Sequence, residues 1–274
     1  LSMSVSLIDA LVDRVLFMKL MYKVIRNYNK THVMIGWSPA KGGYRLLESI
    51  FKGNQTLSID KKAWDWTVPI WLLDAVKRVI FRLGCDAPFW WVTAVTRRFE
   101  LLFRRAQFSF NDGSLVDQSK PGVMKSGCYL TIFINSVAQL LLHDMASIHL
   151  DVIADPIVVL GDDTLQVFFE RYPEYVKYLQ SLGFTLEVEK HKDRFEFAGF
   201  TYYRDYRPAY KQKHLFCLSR LTTDRTIAEQ TLQNYQVLYA FDSDMMKVIK
   251  DMICLLGMPE GVLSEERLRE LSRG

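Results

Sequence analysis

The sequence predicts an α+β fold, in which helices pack against a sheet that contains an antiparallel hairpin. An apolar run at 158–160 reaches Gly161-Asp162-Asp163, and a second apolar run leaves it, which is typical of two strands joined by a turn. The segments 69–81 and 129–143 have helical character, and 216–274 shows amphipathic helical spacing. With 274 residues and 49% hydrophobic content, the chain can bury a full core.

Composition narrows the class of protein. The net charge of +4 and the pI of about 8.8 suit a nucleic-acid channel without demonstrating one. The four cysteines are far apart and lack paired metal spacing, so we interpret them as reduced thiols in a cytosolic setting. No signal peptide is visible, and the longest apolar run, 128–142, is too short to span a membrane.

One helical stretch carries a basic cluster. It contains Arg97, Arg98, Arg104 and Arg105 among apolar residues. Two interpretations remain open for this cluster: a partly solvated helix, or a surface that faces a nucleic-acid template.

The hairpin predicted at 158–169 places Asp162 and Asp163 at its tip. Two adjacent carboxylates repel each other, and a divalent cation relieves that repulsion. Hard oxygen ligands favour Mg²⁺ or Mn²⁺. The alternative is an ordinary solvated turn.

A second acidic site lies upstream. If 56–60 forms a strand, Asp60 lies at its end, and Asp65 follows a tight turn near enough to face the same cavity. Alternatively, Asp65 or Thr67 caps the helix at 69–81. That alternative explains one acid but not the pair.

A loop punctuated by glycines precedes the helix at 129–143. Gly122 and Gly127 permit a tight turn or the close approach of backbone to a ligand. Ser126 lies just before the helix, and Thr131 and Asn135 share one helix face. Polar groups in an apolar helix need buried partners, so a ligand site and a capped core helix both remain open.

The three elements together resemble motifs A, B and C of viral RNA-dependent RNA polymerases. They are Asp-x4-Asp at 60–65, Ser-Gly-x3-Thr-x3-Asn at 126–135 and Gly-Asp-Asp at 161–163. The sequence around Asp65 looks most like that of the sobemovirus/polerovirus-like group. Lys61, Lys62 and Ala63 depart from that group's motif A, which leaves the lineage open but not the carboxylates.

The resemblance continues downstream and implies a right-hand polymerase with an antiparallel-sheet palm. Residues 178–192 look like motif D, and 195–200 look like motif E with Ala198 where many relatives have Cys. The implied divisions are partial helical fingers at 1–56, palm at 57–68, fingers helices at 69–118, palm at 119–215 and the start of a helical thumb at 216–274.

The resemblance also implies a segment that this sequence does not contain. In this family the basic motif F, which holds the incoming triphosphate, lies just before a stretch similar to 2–7. We therefore expect the chain to be a fragment of a longer polymerase or polyprotein.

The implied activity is template-directed RNA synthesis by two-metal nucleotidyl transfer during viral genome replication. Asp60 and Asp162 would hold Mg²⁺ or Mn²⁺, with Asp163 assisting. Lys190, rather than Lys192, would donate a proton to the leaving pyrophosphate. The residues implied in ribonucleotide binding are Asp65, Ser126, Gly127, Thr131 and Asn135.

The expected partners are an RNA template, a primer or nascent strand, ribonucleoside triphosphates and other viral replication proteins. We expect these encounters in the host cytoplasm, in replication complexes that other parts of a polyprotein could attach to membranes. Two alternatives remain: a reverse transcriptase, which would prefer deoxynucleotides, and a non-catalytic RNA-binding or scaffold domain that kept the palm.

Overall fold

The structure is a computed structural model that describes residues 4–51 and 53–274. The described residues divide into two compact units. One contains the residues up to Gly36 together with Ile59–Glu189, and the other contains Trp37–Ser58 and Lys190–Gly274.

Helices dominate the described residues. In chain order they are α1 (Leu7–Arg26), α2 (Tyr44–Phe51), α3 (Trp64–Thr67), α4 (Ile70–Leu83), α5 (Phe89–Phe103), α6 (Thr131–Leu150), α7 (Tyr172–Ser181), α8 (Lys211–Leu218), α9 (Arg225–Leu238), α10 (Ser243–Leu255) and α11 (Glu265–Arg273). Short 3₁₀ helices occupy Tyr28–Lys30 and Pro259–Gly261. None of the helices in the described ranges has the length and apolar character that crossing a membrane requires.

The strands of the described residues form three sheets. They are β1 (Thr56–Lys61), β2 (Gln107–Ser109), β3 (Leu115–Asp117), β4 (Ile157–Leu160), β5 (Asp163–Val167), β6 (Leu186–His191), β7 (Phe195–Phe197), β8 (Phe200–Tyr202) and β9 (Tyr206–Pro208). The largest sheet has the order β4-β5-β1-β6, so β1 lies beside β5 although the two strands are far apart in sequence. The pairs β2–β3, β4–β5, β7–β8 and β8–β9 are antiparallel.

Helix α6 is the central element of the first unit. It packs against α4, α7 and β4, and it buries apolar residues on most of its surface. Ile134 and Ala138 are fully buried, as are Val159 on β4 and Leu165 on β5. Because α6 is buried on several sides, four polar residues of its sequence also lie in the interior, where each needs a hydrogen-bond partner: Asn135, Ser136, Gln139 and His143.

The second unit combines the sheet β7-β8-β9 with the C-terminal helices. Phe197 pairs with Phe200 across a turn in which Ala198 and Gly199 both have positive φ, +52° and +77°, the geometry of a type I′ hairpin. The substitution of Ala at 198 therefore leaves this hairpin intact. Helices α8, α9 and α10 contribute to a core in which Leu232, Tyr239 and Ile249 are buried, and α11 packs against α9.

The predicted helices and the predicted hairpin are present, but their boundaries differ and one hairpin was not predicted. The helix predicted at 69–81 is α4, which begins after Pro69 and has no side-chain cap, so Asp65 and Thr67 do not cap it. The helix predicted at 129–143 begins at Thr131 and continues to Leu150. The region 69–118, predicted to be largely helical, also contains the hairpin β2–β3.

Candidate active site

Asp60 lies near the end of β1 and faces away from the core. Along β1, Leu57, Ile59 and Lys61 are buried, whereas Asp60 is exposed, as the two-residue period of a strand requires. The neighbouring strand is held by a side-chain hydrogen bond, because the Thr164 hydroxyl donates to the Ile59 carbonyl at 2.8 Å. This bond joins the residue before Asp60 to β5.

Asp162 occupies a two-residue turn between β4 and β5. Leu160 pairs with Asp163, so Gly161 and Asp162 form the turn and Asp163 is the first residue of β5. Gly161 has φ of +66° at the first turn position, which fits a type II′ turn and favours glycine. Both carboxylates keep contact with solvent.

The three carboxylates interact electrostatically. Partial loss of hydration raises the pKa of Asp163 to about 6, and the charges of Asp162 and Asp60 contribute to that rise. Desolvation also raises the pKa of Asp162, with further contributions from Asp65 and Asp60. The structure therefore brings Asp60, Asp162 and Asp163 into one acidic group, with Asp65 close enough to affect it.

Lys61 is a charged residue of this site that the sequence interpretation treated only as a departure from the motif. Its side chain is buried, and burial lowers its pKa to about 8 despite the opposing effect of Asp60 and Asp162. The ammonium lies 5.9 Å from the centre of the Trp64 ring. The signal in the sequence was its register, because Lys61 shares a strand face with Leu57 and Ile59.

Asp65 lies in the short helix α3, and the loop before α6 docks on it. The Met124 N–H donates to the Asp65 carbonyl at 2.7 Å, and the Ser126 hydroxyl donates to the Asp65 carboxylate. Gly122 permits this approach, since a Cβ on it would lie 2.5 Å from the Val68 carbonyl oxygen. Two of the residues predicted to bind ribonucleotides, Asp65 and Ser126, are thus in direct contact.

The other predicted nucleotide-binding residues lie nearby in the sequence but make different contacts. The Thr131 hydroxyl donates to the Lys125 carbonyl at 2.6 Å, which holds the loop against the start of α6. Gly127 lies in the exposed turn before that helix. Asn135 is only 5% exposed, and its Oδ1 atom meets no hydrogen-bond donor in the described part of the chain.

The two candidate proton donors lie at the C-terminal end of β6. Lys190 is an exposed residue of β6, whereas Lys192 follows the end of the strand and is also exposed. Between them, His191 lies 3.1 Å from the Ser58 hydroxyl through its Nε2 atom. Both lysines belong to the second unit and the four aspartates to the first, so their catalytic role stays a prediction.

The basic cluster on α5 does not act as a unit. Arg98 is buried and binds Asp13 through two nitrogens, at 2.5 and 3.1 Å, and Asp9 through a third at 2.5 Å. The thiol of Cys128 donates to the same Asp13, and burial raises the pKa of that thiol to about 12. Arg98 is therefore neither a solvated side chain nor a template contact, because it neutralises two carboxylates of α1.

The acidic group has the donor chemistry of a Mg²⁺ or Mn²⁺ site, although it is not in a ligating arrangement. Across 4–51 and 53–274, no three His, Cys, Asp or Glu side chains are arranged to hold a metal ion. The donors are all carboxylate oxygens, which hard cations prefer. The raised pKa values of Asp162 and Asp163 are a response that a bound cation would reverse, so the chemistry of these donors fits such an ion.

Comparison with known proteins identifies the family. The model of the viral RNA-dependent RNA polymerase family matches residues 9–247. Protein P1-P2 of Potato leafroll virus is 31% identical over 216 residues, which cover 69% of this chain and 18% of that protein. The replicase polyprotein P2AB of Cocksfoot mottle virus is 30% identical over 176 residues, which cover 62% of this chain and 18% of that protein.

Two further comparisons extend this result. The RNA-directed RNA polymerase of Mushroom bacilliform virus is 26% identical over 196 residues, which cover 68% of this chain and 45% of that protein. The crystal structure of an insertion-loop deletion mutant of a human picobirnavirus RNA-dependent RNA polymerase matches with a TM-score of 0.68 at 13% identity, and covers 94% of this chain and 52% of that one. This match confirms the predicted fold class.

The chain spans about a fifth of the length of the first two curated relatives. The matched region nevertheless contains the three motifs on which the resemblance was based. The chain belongs to the viral RNA-dependent RNA polymerase family.

Proposed function

We propose that this chain carries the catalytic centre for template-directed RNA synthesis from ribonucleoside triphosphates in viral genome replication. The observation that carries the proposal is the acidic group formed by Asp60 and Asp163 on the adjacent strands β1 and β5 and by Asp162 in the turn before β5, within a chain of the polymerase family. Nucleotidyl transfer concentrates negative charge on a triphosphate, and carboxylates that hold divalent cations are suited to that chemistry.

Asp60 and Asp162 would hold the cations, with Asp163 assisting. Bound Mg²⁺ or Mn²⁺ supplies the positive charge that stabilises the entering and leaving oxygens of an in-line displacement. The residues of the chain contribute positioning. The hydrogen bond from Thr164 to Ile59 keeps the strands of Asp60 and Asp163 adjacent, so a 3′-hydroxyl and an α-phosphate bound there would be held in one orientation.

The pair formed by Ser126 and Asp65 is suited to recognise a ribose. Once the Ser126 hydroxyl has donated to it, the carboxylate of Asp65 still has lone pairs that can accept from a 2′-hydroxyl. The unpaired Oδ1 of Asn135 is a further buried acceptor on the helix that follows the Ser126 loop. A deoxyribose lacks this donor, so we infer selection for ribonucleotides.

Lys190 is the proposed proton donor to the leaving pyrophosphate. A protonated ammonium near phosphates keeps its proton until the bridging bond breaks and can then transfer it to the departing oxygen. Lys192 is the alternative donor, since both side chains are exposed at the end of β6.

The implied partners are RNA, ribonucleoside triphosphates and, in the infected cell, other replication proteins in cytoplasmic replication complexes. Base pairing would read the template sequence, so the protein would contact the nucleic-acid backbone and shape. This chain covers 18% of Protein P1-P2 and 45% of the Mushroom bacilliform virus polymerase, and we therefore assign the activity to the complete polypeptide that contains this chain.

The proposal is tested by primer extension on an RNA template with Mg²⁺ or Mn²⁺, using the complete viral polypeptide that contains these residues. The comparison is between the unaltered protein, Asp162→Ala and the control Asp86→Ala, which replaces an exposed acid between α4 and α5. Ribonucleotide incorporation is expected to disappear in Asp162→Ala and to persist in the control, with RNA binding similar in all three.

Three outcomes would contradict the proposal. If Asp162→Ala incorporated ribonucleotides at the rate of the unaltered protein, the acidic group would not hold the catalytic cations. RNA binding without incorporation by the unaltered protein would instead favour the scaffold function. A preference for deoxynucleotides in the same assay would identify a reverse transcriptase.

A further inference from the structure

Ser136 of α6 has no role in the proposed function, yet its hydroxyl contacts the turn that carries Asp162. The side chain is fully buried. Its hydroxyl donates to the Ile132 carbonyl at 2.7 Å and accepts from the Gly161 N–H at 2.8 Å. The first bond directs the hydroxyl hydrogen towards the helix, which leaves a lone pair aimed at Gly161.

The Gly161 N–H has particular need of this acceptor. In a two-residue hairpin turn the strand ladder pairs Leu160 with Asp163, and the N–H of the first turn residue is left outside the ladder. Gly161 is buried, so water does not readily replace the missing partner. The hydroxyl of Ser136 therefore satisfies a backbone donor that the hairpin itself cannot satisfy.

Two further contacts hold the turn and the acids that follow it. The Ile132 side chain lies 4.0 Å from the position that a Cβ on Gly161 would take, so one turn of α6 covers the glycine. On the other side of the two acids, Thr164 is bonded to the Ile59 carbonyl. Asp162 and Asp163 thus lie between two buried hydroxyl anchors, one to α6 and one to β1.

We propose that Ser136 is a positioning residue that orients the Gly161–Asp162 turn so that Asp162 can share a divalent cation with Asp60. This inference rests on the proposed function, since it assumes that Asp162 binds the cation. Groups that orient metal ligands through hydrogen bonds typically change metal affinity 10- to 100-fold when they are removed. Ser136 acts on the ligand through the backbone of the preceding residue.

The test measures the affinity of the purified chain for Mn²⁺ by electron paramagnetic resonance. This readout does not depend on RNA synthesis. The variants are Ser136→Ala, Ser136→Cys, Ser136→Thr and Asp162→Ala. Ser147→Ala is the matched control, since Ser147 lies on the same helix and its buried hydroxyl has no partner in the described residues. Circular dichroism checks that each variant folds.

We expect Ser136→Ala to weaken Mn²⁺ binding about tenfold. Ser136→Cys, which keeps the size of the side chain but replaces the oxygen by a weak acceptor, is expected to weaken it similarly and serves if the alanine variant does not fold. Ser136→Thr keeps a hydroxyl at this position and is expected to retain most of the affinity for Mn²⁺. Ser147→Ala is expected to bind as the unaltered chain does.

Two failures can be told apart. If Asp162→Ala weakens Mn²⁺ binding but Ser136→Ala and Ser136→Cys do not, the positioning role is overturned and the proposed function stands. If Asp162→Ala itself binds Mn²⁺ as tightly as the unaltered chain, the metal role of Asp162 fails, and the positioning role fails with it.

Discussion

Replacing Asp163 by Asn is expected to stabilise the fold at neutral pH and to lose that effect in acid. Asp163 begins β5 beside two other carboxylates, and its pKa is raised to about 6 by partial desolvation and by Asp162 and Asp60. The amide of Asn has nearly the same shape and no charge. The substitution therefore removes repulsion while it preserves the strand.

The magnitude follows from the pKa. A rise from 3.8 to about 6 corresponds to an upper limit of about 3 kcal/mol, at 1.36 kcal/mol for each pKa unit. The side chain is exposed to solvent, which screens the interaction, so we expect a gain nearer to about 1 kcal/mol.

The sign follows from proton binding. Between the unfolded and the folded pKa the folded state binds more protons than the unfolded state, so the free energy of unfolding of the unaltered chain falls as pH rises. The penalty is complete above pH 6 and absent well below pH 3.8, where both states are protonated.

The assay is urea denaturation of the purified chain at pH 7.5 and at pH 4.0, in the presence of a chelator. Asp163→Asn is expected to raise the free energy of unfolding by about 1 kcal/mol at pH 7.5 and by much less at pH 4.0. Asp86→Asn, which alters an exposed acid between α4 and α5, serves as the control. Equal effects of Asp163→Asn at both pH values, or destabilisation at pH 7.5, would refute the electrostatic reasoning.

The remaining predictions concern catalysis by the complete polypeptide. Asn135→Ala is expected to reduce the preference for ribonucleotides over deoxynucleotides roughly tenfold, the worth of one hydrogen bond, whereas Gln139→Ala, one turn further along α6, should leave it unchanged. An unaltered preference in Asn135→Ala would make that residue a packing feature. Lys190→Leu is expected to slow single-turnover incorporation about 10²-fold, with Lys192→Leu near the unaltered rate. The reverse result would assign the donor to Lys192, and unaltered rates in both would exclude the pair.

Much of the local structure was predictable because it depends on short stretches of sequence. The Gly161-Asp162-Asp163 turn between apolar runs predicted β4 and β5, and Pro69 marked the start of α4. The boundaries were less predictable. The helix predicted to end at His143 continues to Leu150, because its last turns remain packed against α7. The hydrophobic periodicity of the α6 segment does not reveal its contacts with another helix, so it does not predict where α6 ends.

The candidate site shows the same division. The ordered triplet of motifs indicated Asp60, Asp162 and Asp163, and the structure brings these three carboxylates into one electrostatic group. The motifs did not indicate Lys61, which lies buried beside them. Of the residues predicted to bind ribonucleotides, Ser126 contacts Asp65, whereas the Oδ1 atom of Asn135 has no hydrogen-bond partner in the described residues. Arg98, which looked like a surface cation, is buried against two acids of α1.

By itself, the sequence predicted the family, the fold class and the acids of the candidate site, because motif spacing, turn chemistry and hydrophobic period are properties of the chain. Only the tertiary structure decided which groups hold those acids in place. The bonds from Ser136 to Gly161 and from Thr164 to Ile59 join segments that are distant in sequence. They form because strand β5 lies between β4 and β1 with α6 packed on β4, and that arrangement buries backbone groups which only side chains from other elements can satisfy.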